Sequence, residues 1–224
     1  MASLQAEIWG TQEVAAPSSL LKAMSAAGGI VLLASARGAP VGFAYGFTGR
    51  SRDGRLYHRS HAAGVLPQAR DSGIGRALKL GQRRRATAQG LDLMVWTFDP
   101  GQGRNAHFNL NRLGAIGRRF HRNYYGSRSD LLNKGRPSDR MVVEWHFDEA
   151  RSRALALPRA DAQLLVEVPP ALLDPRAPRM ITPAYGALRR GLEAAFRQGA
   201  VAVDFKAQGY WFASLPEGFP PPVE

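Results

Sequence analysis

The chain has 224 residues, 45% of them hydrophobic and 21% charged, which suits one compact domain or one domain with a sizeable extension. Cysteine is absent, excluding disulfides and cysteine-based zinc sites, and the five histidines form no His-x-x-x-His pair, so no metal is expected. The formal net charge is +12, with only Lys22, Lys79, Lys134 and Lys206 as lysines, and such a surface draws in nucleic acid or a polyanionic cofactor.

The longest apolar run, residues 26–36, falls short of the roughly 20 residues that a membrane span needs. The N-terminus lacks the basic-then-apolar layout of a secretory signal, so a soluble cytoplasmic protein is expected, with no membrane partner. Residues 16–27 have helical spacing, with Ser18 or Ser19 as cap and Gly28-Gly29 as stop. Residues 30–36 read as a strand, 37–40 as a turn, 41–48 as a second strand and 49–54 as a polar turn. Residues 55–66 form a third strand, whose Ala62, Ala63 and Gly64 suggest a bulge or a close backbone approach. Residues 72–89 read as a helix, with Ile74, Ala77, Leu78 and Gly81 on one face and Arg76, Lys79, Arg83 and Arg84 mostly on the other. Residues 91–98 are an unbroken apolar strand, as in the middle of an α/β sheet. A short helix over 105–113, stopped by Gly114, and a strand over 141–147 follow. From residue 55 to 98 this gives one strand–helix–strand crossover of the length a parallel pair requires.

Residues 151–158 read as a connector. Beyond it come a strand at 163–168, a proline-rich stretch at 169–178, a helix at 185–198 and strands at 200–206 and 210–214. The tail from 216 to 224 is expected to be loose. The division is therefore a core over 1–150 and a βαββ extension over 151–224, which either extends the core sheet or forms a small lobe.

The informative passage runs from Gly64 to Lys79. A strand runs out at Pro67, a polar loop follows, and Gly73 and Gly75 open an amphipathic helix. Helix starts carry free N–H groups and the positive end of the dipole, so they bind phosphate. Arg70 and Arg76 add charge on both sides. A Rossmann fingerprint would need a glycine where Leu78 stands, and a Walker loop would need Gly-Lys-Ser/Thr, which is absent. The plainer reading is a tight turn before a helix.

The arrangement Val-x-Pro-x-x-Arg-x-x-Gly-x-Gly-x-x-Leu, filled by Val65, Pro67, Arg70, Gly73, Gly75 and Leu78, is similar to motif A of the GNAT superfamily of N-acetyltransferases. Ser60-His61-Ala62-Ala63-Gly64-Val65, Trp96-Thr97-Phe98-Asp99-Pro100, Asn105-Ala106, Asp139-Arg140 and Glu144-Trp145 resemble a bacterial branch of that family, and the likeness covers roughly residues 8–148. The resemblance implies an α/β fold with a mixed, mostly antiparallel sheet, and acetyl-CoA or another acyl-CoA as cosubstrate. It implies that backbone amides of Asp71, Ser72, Gly73, Ile74, Gly75 and Arg76 hold the CoA pyrophosphate, with Arg70 alongside. It implies that the strand at Ala63, Gly64 and Val65 pairs with the pantetheine arm, where this strand and the next splay apart. The family helix after the fourth core strand carries a tyrosine that protonates the leaving thiolate. Aligning Leu113-Gly114 puts Leu110 at its place, with Tyr124 or Tyr125 as substitutes.

Amine acyl transfer also needs a base and a donor for the thioester oxygen. His61 is the first choice for base, since two residues of alternation place it on the same side as Ala63, and a structural or surface histidine is the competing reading. Asp99 ends the buried strand at its ligand-collecting edge, as base or amine site, or else as a turn cap. Asn105 caps its helix or contacts the pantetheine amide, and Glu144 faces a substrate groove or solvent. The Arg83-Arg84-Arg85 run is a solvated face or a reach towards the 3′-phosphate. The expected function is transfer of acetyl from acetyl-CoA to a small-molecule or protein amine. A non-catalytic acyl-CoA-binding protein is the alternative, a homodimer is open, and nucleic acid is the least favoured partner.

Overall fold

The computed structural model describes residues 1–10, 15–126, 138–148, 164–173 and 183–224. The connector expected at 151–158 lies outside them. The chain forms two compact units, which divide between Trp96 and Thr97. The architecture is mixed α/β with mostly antiparallel strands. No helix among the described residues is long and apolar enough to cross a membrane.

The first unit contains α1 (Ala2–Trp9), α2 (Ser18–Ala26), β1 (Ile30–Ala36), β2 (Ala39–Arg50), β3 (Leu56–Val65), a 3-10 turn (Pro67–Ala69), α3 (Ile74–Ala88) and the first part of β4 (Leu93–Phe98). Strands β1, β2 and β3 run antiparallel in sequence order. The β1–β2 hairpin closes through Arg37 and Gly38, both at positive φ (50° and 79°), the turn whose twist matches that of the flanking strands. One face of this sheet carries Phe43 and Tyr45, which pack with Leu4, Leu21 and Leu66 beneath α1 and α2. The other face takes α3 at close range, since a Cβ on Gly42 would lie 3.2 Å from Ile74 and 3.3 Å from Leu78. Helix α1 was not expected from the sequence. Its anchor is the polar Gln5, buried completely, which accepts from Ala16 N (3.0 Å) and from the Tyr45 hydroxyl (3.2 Å).

The second unit holds the end of β4, α4 (Gly103–His107) running into a π-helical turn (Phe108–Arg112), β5 (Ile116–His121) and β6 (Arg140–His146). It continues with β7 (Leu164–Glu167), α5 (Pro170–Leu173), α6 (Pro183–Arg197), β8 (Val201–Lys206) and β9 (Gly209–Ala213). Its strands lie in the order β6-β5-β8-β9-β7. Strand β8 joins β5 through Gly117↔Ala202, so the βαββ segment extends the sheet of this unit. Gly117 permits that approach: a Cβ there would meet Met141 Sδ at 2.7 Å and Ala202 Cβ at 2.9 Å.

Strand β5 has no apolar alternation to announce it, because its centre is Arg118-Arg119. Arg118 is buried, and its Nε donates to the equally buried Glu144 at 3.1 Å. The tail expected to be loose is held in place by the same pair. Val223 N donates to Glu144 Oε1 (3.0 Å), Arg118 Nη2 donates to Pro220 O (2.7 Å), and Phe219 packs edge-on against His146 at 5.2 Å. Glu144 therefore faces neither groove nor solvent.

Candidate functional site

The Gly64–Lys79 segment lies within the first unit. Strand β3 ends at Val65, and Leu66 N donates to Val41 O at 2.9 Å. The chain turns through Pro67–Ala69, where Arg70 Nε donates back to Val65 O (3.2 Å) and Ser72 Oγ to Ala69 O (2.7 Å). Asp71 (φ 63°) and Gly73 (φ 84°) both take the left-handed conformation, and α3 begins at Ile74. The Ala77 amide already donates to Gly73 O at 2.9 Å. The amides of Ile74, Gly75 and Arg76, by contrast, point out of the helix end, where no intrahelical carbonyl exists. The helix has no side-chain cap and no acidic residue in its first turn. Among the described residues nothing lies within 4 Å of a Cβ built on Gly73. The result is an open, electropositive helix start flanked by exposed Arg70 and Arg76.

Strand β3 pairs in parallel with β4 at His58↔Met94 and Arg59↔Val95. It then runs on through Ala63, Gly64 and Val65, which pair with Ala44, Phe43 and Gly42 of β2. Between Tyr45↔Ala62 and Gly46↔Ser60 the register shifts, so His61 is the extra residue of a β-bulge. The bulge overturns the expectation that His61 and Ala63 share a face. The His61 ring lies 5.7 Å from the Tyr45 ring and 6.1 Å from that of Phe47, on the α1 and α2 side. Ala63, opposite Ala44, shares the α3 side with Gly42. His61 is exposed at its edge, and shielding by its neighbours, with the charge of Arg59, lowers its pKa.

Lys79, which helical spacing puts on the polar face of α3, is instead buried, with 5% exposure. Its Nζ donates to Ser60 Oγ (2.8 Å) and lies 3.7 Å from the centre of the Trp96 ring. Ser60 donates onward to Gln82 Oε1 (2.8 Å), and Gln82 Nε2 lies 3.2 Å from His58 Nε2. Burial, then the charge of Arg59, lowers the Lys79 pKa to about 7. Burial, then Lys79 itself, lowers that of His58 to about 4. Among the described residues the buried His58 Nδ1 atom has no hydrogen-bond partner. Only a charged residue at i+3 and i+4 from Arg76 and Gly75, beside Gln82, hinted at this polar stripe in the sequence.

The other expected site residues lie in the second unit. Asp99 accepts from Gly101 N (2.9 Å), the Tyr185 hydroxyl (2.8 Å) and Gln102 Nε2 (3.4 Å), which makes it a turn cap tied to α6. Desolvation, then Asp99, raises the Tyr185 pKa. Asn105 does not cap α4; Gln102 occupies that position, and Asn105 Nδ2 donates to Gln102 Oε1 at 2.8 Å. Leu110 is fully buried in the π-helical turn. Tyr124 and Tyr125 are exposed, their rings 4.8 Å apart. The Tyr125 hydroxyl lies 3.3 Å from Thr97 Oγ1 on β4, whereas the Tyr124 ring packs towards His121. Among the described residues no group of three His, Cys, Asp or Glu side chains could hold a metal ion.

No family model matches the sequence, and no curated protein matches it. Solved structures do. Arabidopsis thaliana Naa50, in complex with the bisubstrate analogue CoA-Ac-MVNAL, matches with 21% identity and a TM-score of 0.50, over 63% of this chain and 90% of that one. The ribosomal-protein-alanine N-acetyltransferase of Brucella melitensis matches with 20% identity and a TM-score of 0.50, over 62% of this chain and 83% of that one.

Proposed function

We propose that this chain, which has the fold of the GNAT acetyltransferases, is a CoA-dependent N-acyltransferase acting on a small-molecule or protein amine. The observation that carries the proposal is the start of α3, with outward amides at Ile74, Gly75 and Arg76, neither side-chain cap nor acidic residue, and open space over Gly73. It suits a pyrophosphate. The run of β3 beyond its two parallel pairs suits an extended pantetheine arm lying against Ala63, Gly64 and Val65. In this reading residues 1–150 form the acyl-CoA-binding core, and 151–224 are an extension.

His61, with its lowered pKa, accepts the proton of the attacking amine as a neutral imidazole. Tyr124 or Tyr125, both exposed, protonates the leaving thiolate in this reading. The three bonds to Asp99 favour its role as a cap over that of a base. The buried Leu110 supports the second reading, an acyl-CoA-binding protein without turnover.

Titration calorimetry with acetyl-CoA tests the site. A Cβ from Gly73→Ala meets no atom of the described residues and strains only the left-handed backbone of the cradle, so by obstruction and strain together acetyl-CoA affinity is expected to fall about tenfold or more. Unchanged affinity removes the site assignment. Release of CoA thiol in the presence of an amine panel separates the enzyme from the non-catalytic binder.

A further inference from the structure

The open helix start at Gly73 lies past the C-terminal end of β3, whereas the paired positions His58↔Met94 and Arg59↔Val95 lie near its beginning. An arm that enters at the helix start and follows β3 from Val65 past Ala63 therefore points its acyl end at Ser60. At that end of the strand sits the ammonium of Lys79. It touches Ser60 at 2.8 Å and the Trp96 ring at 3.7 Å, the first residue beyond the paired segment on each strand. Its two supports, the Ser60 hydroxyl and the Trp96 ring, are neutral, and Ser60 donates its own hydrogen bond to Gln82 Oε1. The influences on it, burial and Arg59, both disfavour its charge, and among the described residues no carboxylate is paired with it. A buried cation without an anion is unfavourable, and an arriving carboxylate relieves that condition.

We infer that the acyl donor is a CoA thioester of a short dicarboxylic acid, whose free carboxylate is received by Lys79 just beyond the paired positions of β3 and β4. The inference rests on the acyl-CoA reading above. It makes Lys79 the residue that sets the acyl group: an acetyl group ends short of the ammonium, whereas a malonyl, succinyl or glutaryl group carries a charge-assisted partner to it.

Calorimetry of the full chain with CoA, acetyl-CoA, malonyl-CoA, succinyl-CoA and glutaryl-CoA tests this. At least one of the three carboxylated thioesters is expected to bind about tenfold or more tighter than acetyl-CoA, the increment of a hydrogen-bonded charge. In Lys79→Met, with circular dichroism checking the fold, that ratio is expected to fall to within about twofold, and Lys79→Arg restores part of it. Wild-type protein that binds none of the three more tightly than acetyl-CoA overturns the inference with no variant needed. A preference that persists in Lys79→Met overturns the assignment to Lys79. Binding of acetyl-CoA without preference leaves the cofactor reading standing, whereas no binding of any CoA species removes both.

Discussion

Lys79 sits at 5% exposure between a serine hydroxyl and an indole ring, and its pKa falls from the ordinary 10.5 to about 7. Between those two values the unfolded chain holds a proton that the folded chain has released, so stability rises with pH through that window. Below about pH 7 the ammonium is buried at full cost, on the order of 5 kcal/mol. That figure is already net of the Ser60 bond and the Trp96 contact to the ammonium. Lys79→Met is therefore expected to be more stable than wild type by about 4–5 kcal/mol at pH 6, with the gap about half as large or less at pH 9. Urea midpoints at the two pH values check this, and a gap independent of pH refutes it. This residue was legible in the sequence only as one more charge on a basic helix. Hydrophobic periodicity finds apolar stripes, and the buried stripe of α3 includes Lys79 and Gln82, whose burial depends on Ser60 and His58 more than fifteen residues away.

Strand β3 and helix α3 depend on glycine for two different reasons, and substitution separates them. A Cβ on Gly46 would lie 2.2 Å from Arg59 O and 2.8 Å from the His58 ring, directly beside the bulge at His61. Gly46→Ala must push two strands apart, at an expected cost of roughly 2–4 kcal/mol. Gly73→Ala meets no atom of the described residues and strains only its own left-handed backbone, at about 1–2 kcal/mol. Urea denaturation of the two variants is expected to rank them in that order, and the reverse order would count against the bulged register. The hairpin strands and α3 were readable because alternation and turn glycines repeat the geometry locally. The bulge was not, since one extra residue in β3 is defined only by its pairing with β2. Strand β5 escaped because its charged centre is neutralised from β6, and the tail because its holding groups belong to that same ion pair. In each case the decisive partner is distant in sequence. The helix start at Gly73 was readable because a phosphate cradle is built from consecutive residues.

At the scale of the whole chain the dominant quantity is the net charge of +12. A CoA thioester carries about four negative charges on its pyrophosphate and 3′-phosphate at neutral pH. A field of the opposite sign raises the rate at which such a ligand arrives, while the contacts made after docking set how long it stays. Screening shortens the reach of that field from about 10 Å at 0.1 M salt to about 3 Å at 1 M. The outward amides of Ile74, Gly75 and Arg76 act at contact distance and are screened far less. The association rate of acetyl-CoA is therefore expected to fall about three- to tenfold between about 0.05 and 0.5 M sodium chloride, with the dissociation rate changing less than about twofold. Stopped-flow binding at several salt concentrations measures both. If the charge instead serves a nucleic acid, a random duplex binds the chain with an affinity that falls linearly with the logarithm of salt and displaces acetyl-CoA. If salt acts equally on both acetyl-CoA rates, the arginines around α3 hold the ligand rather than steer it, and the cradle amides are not its main support.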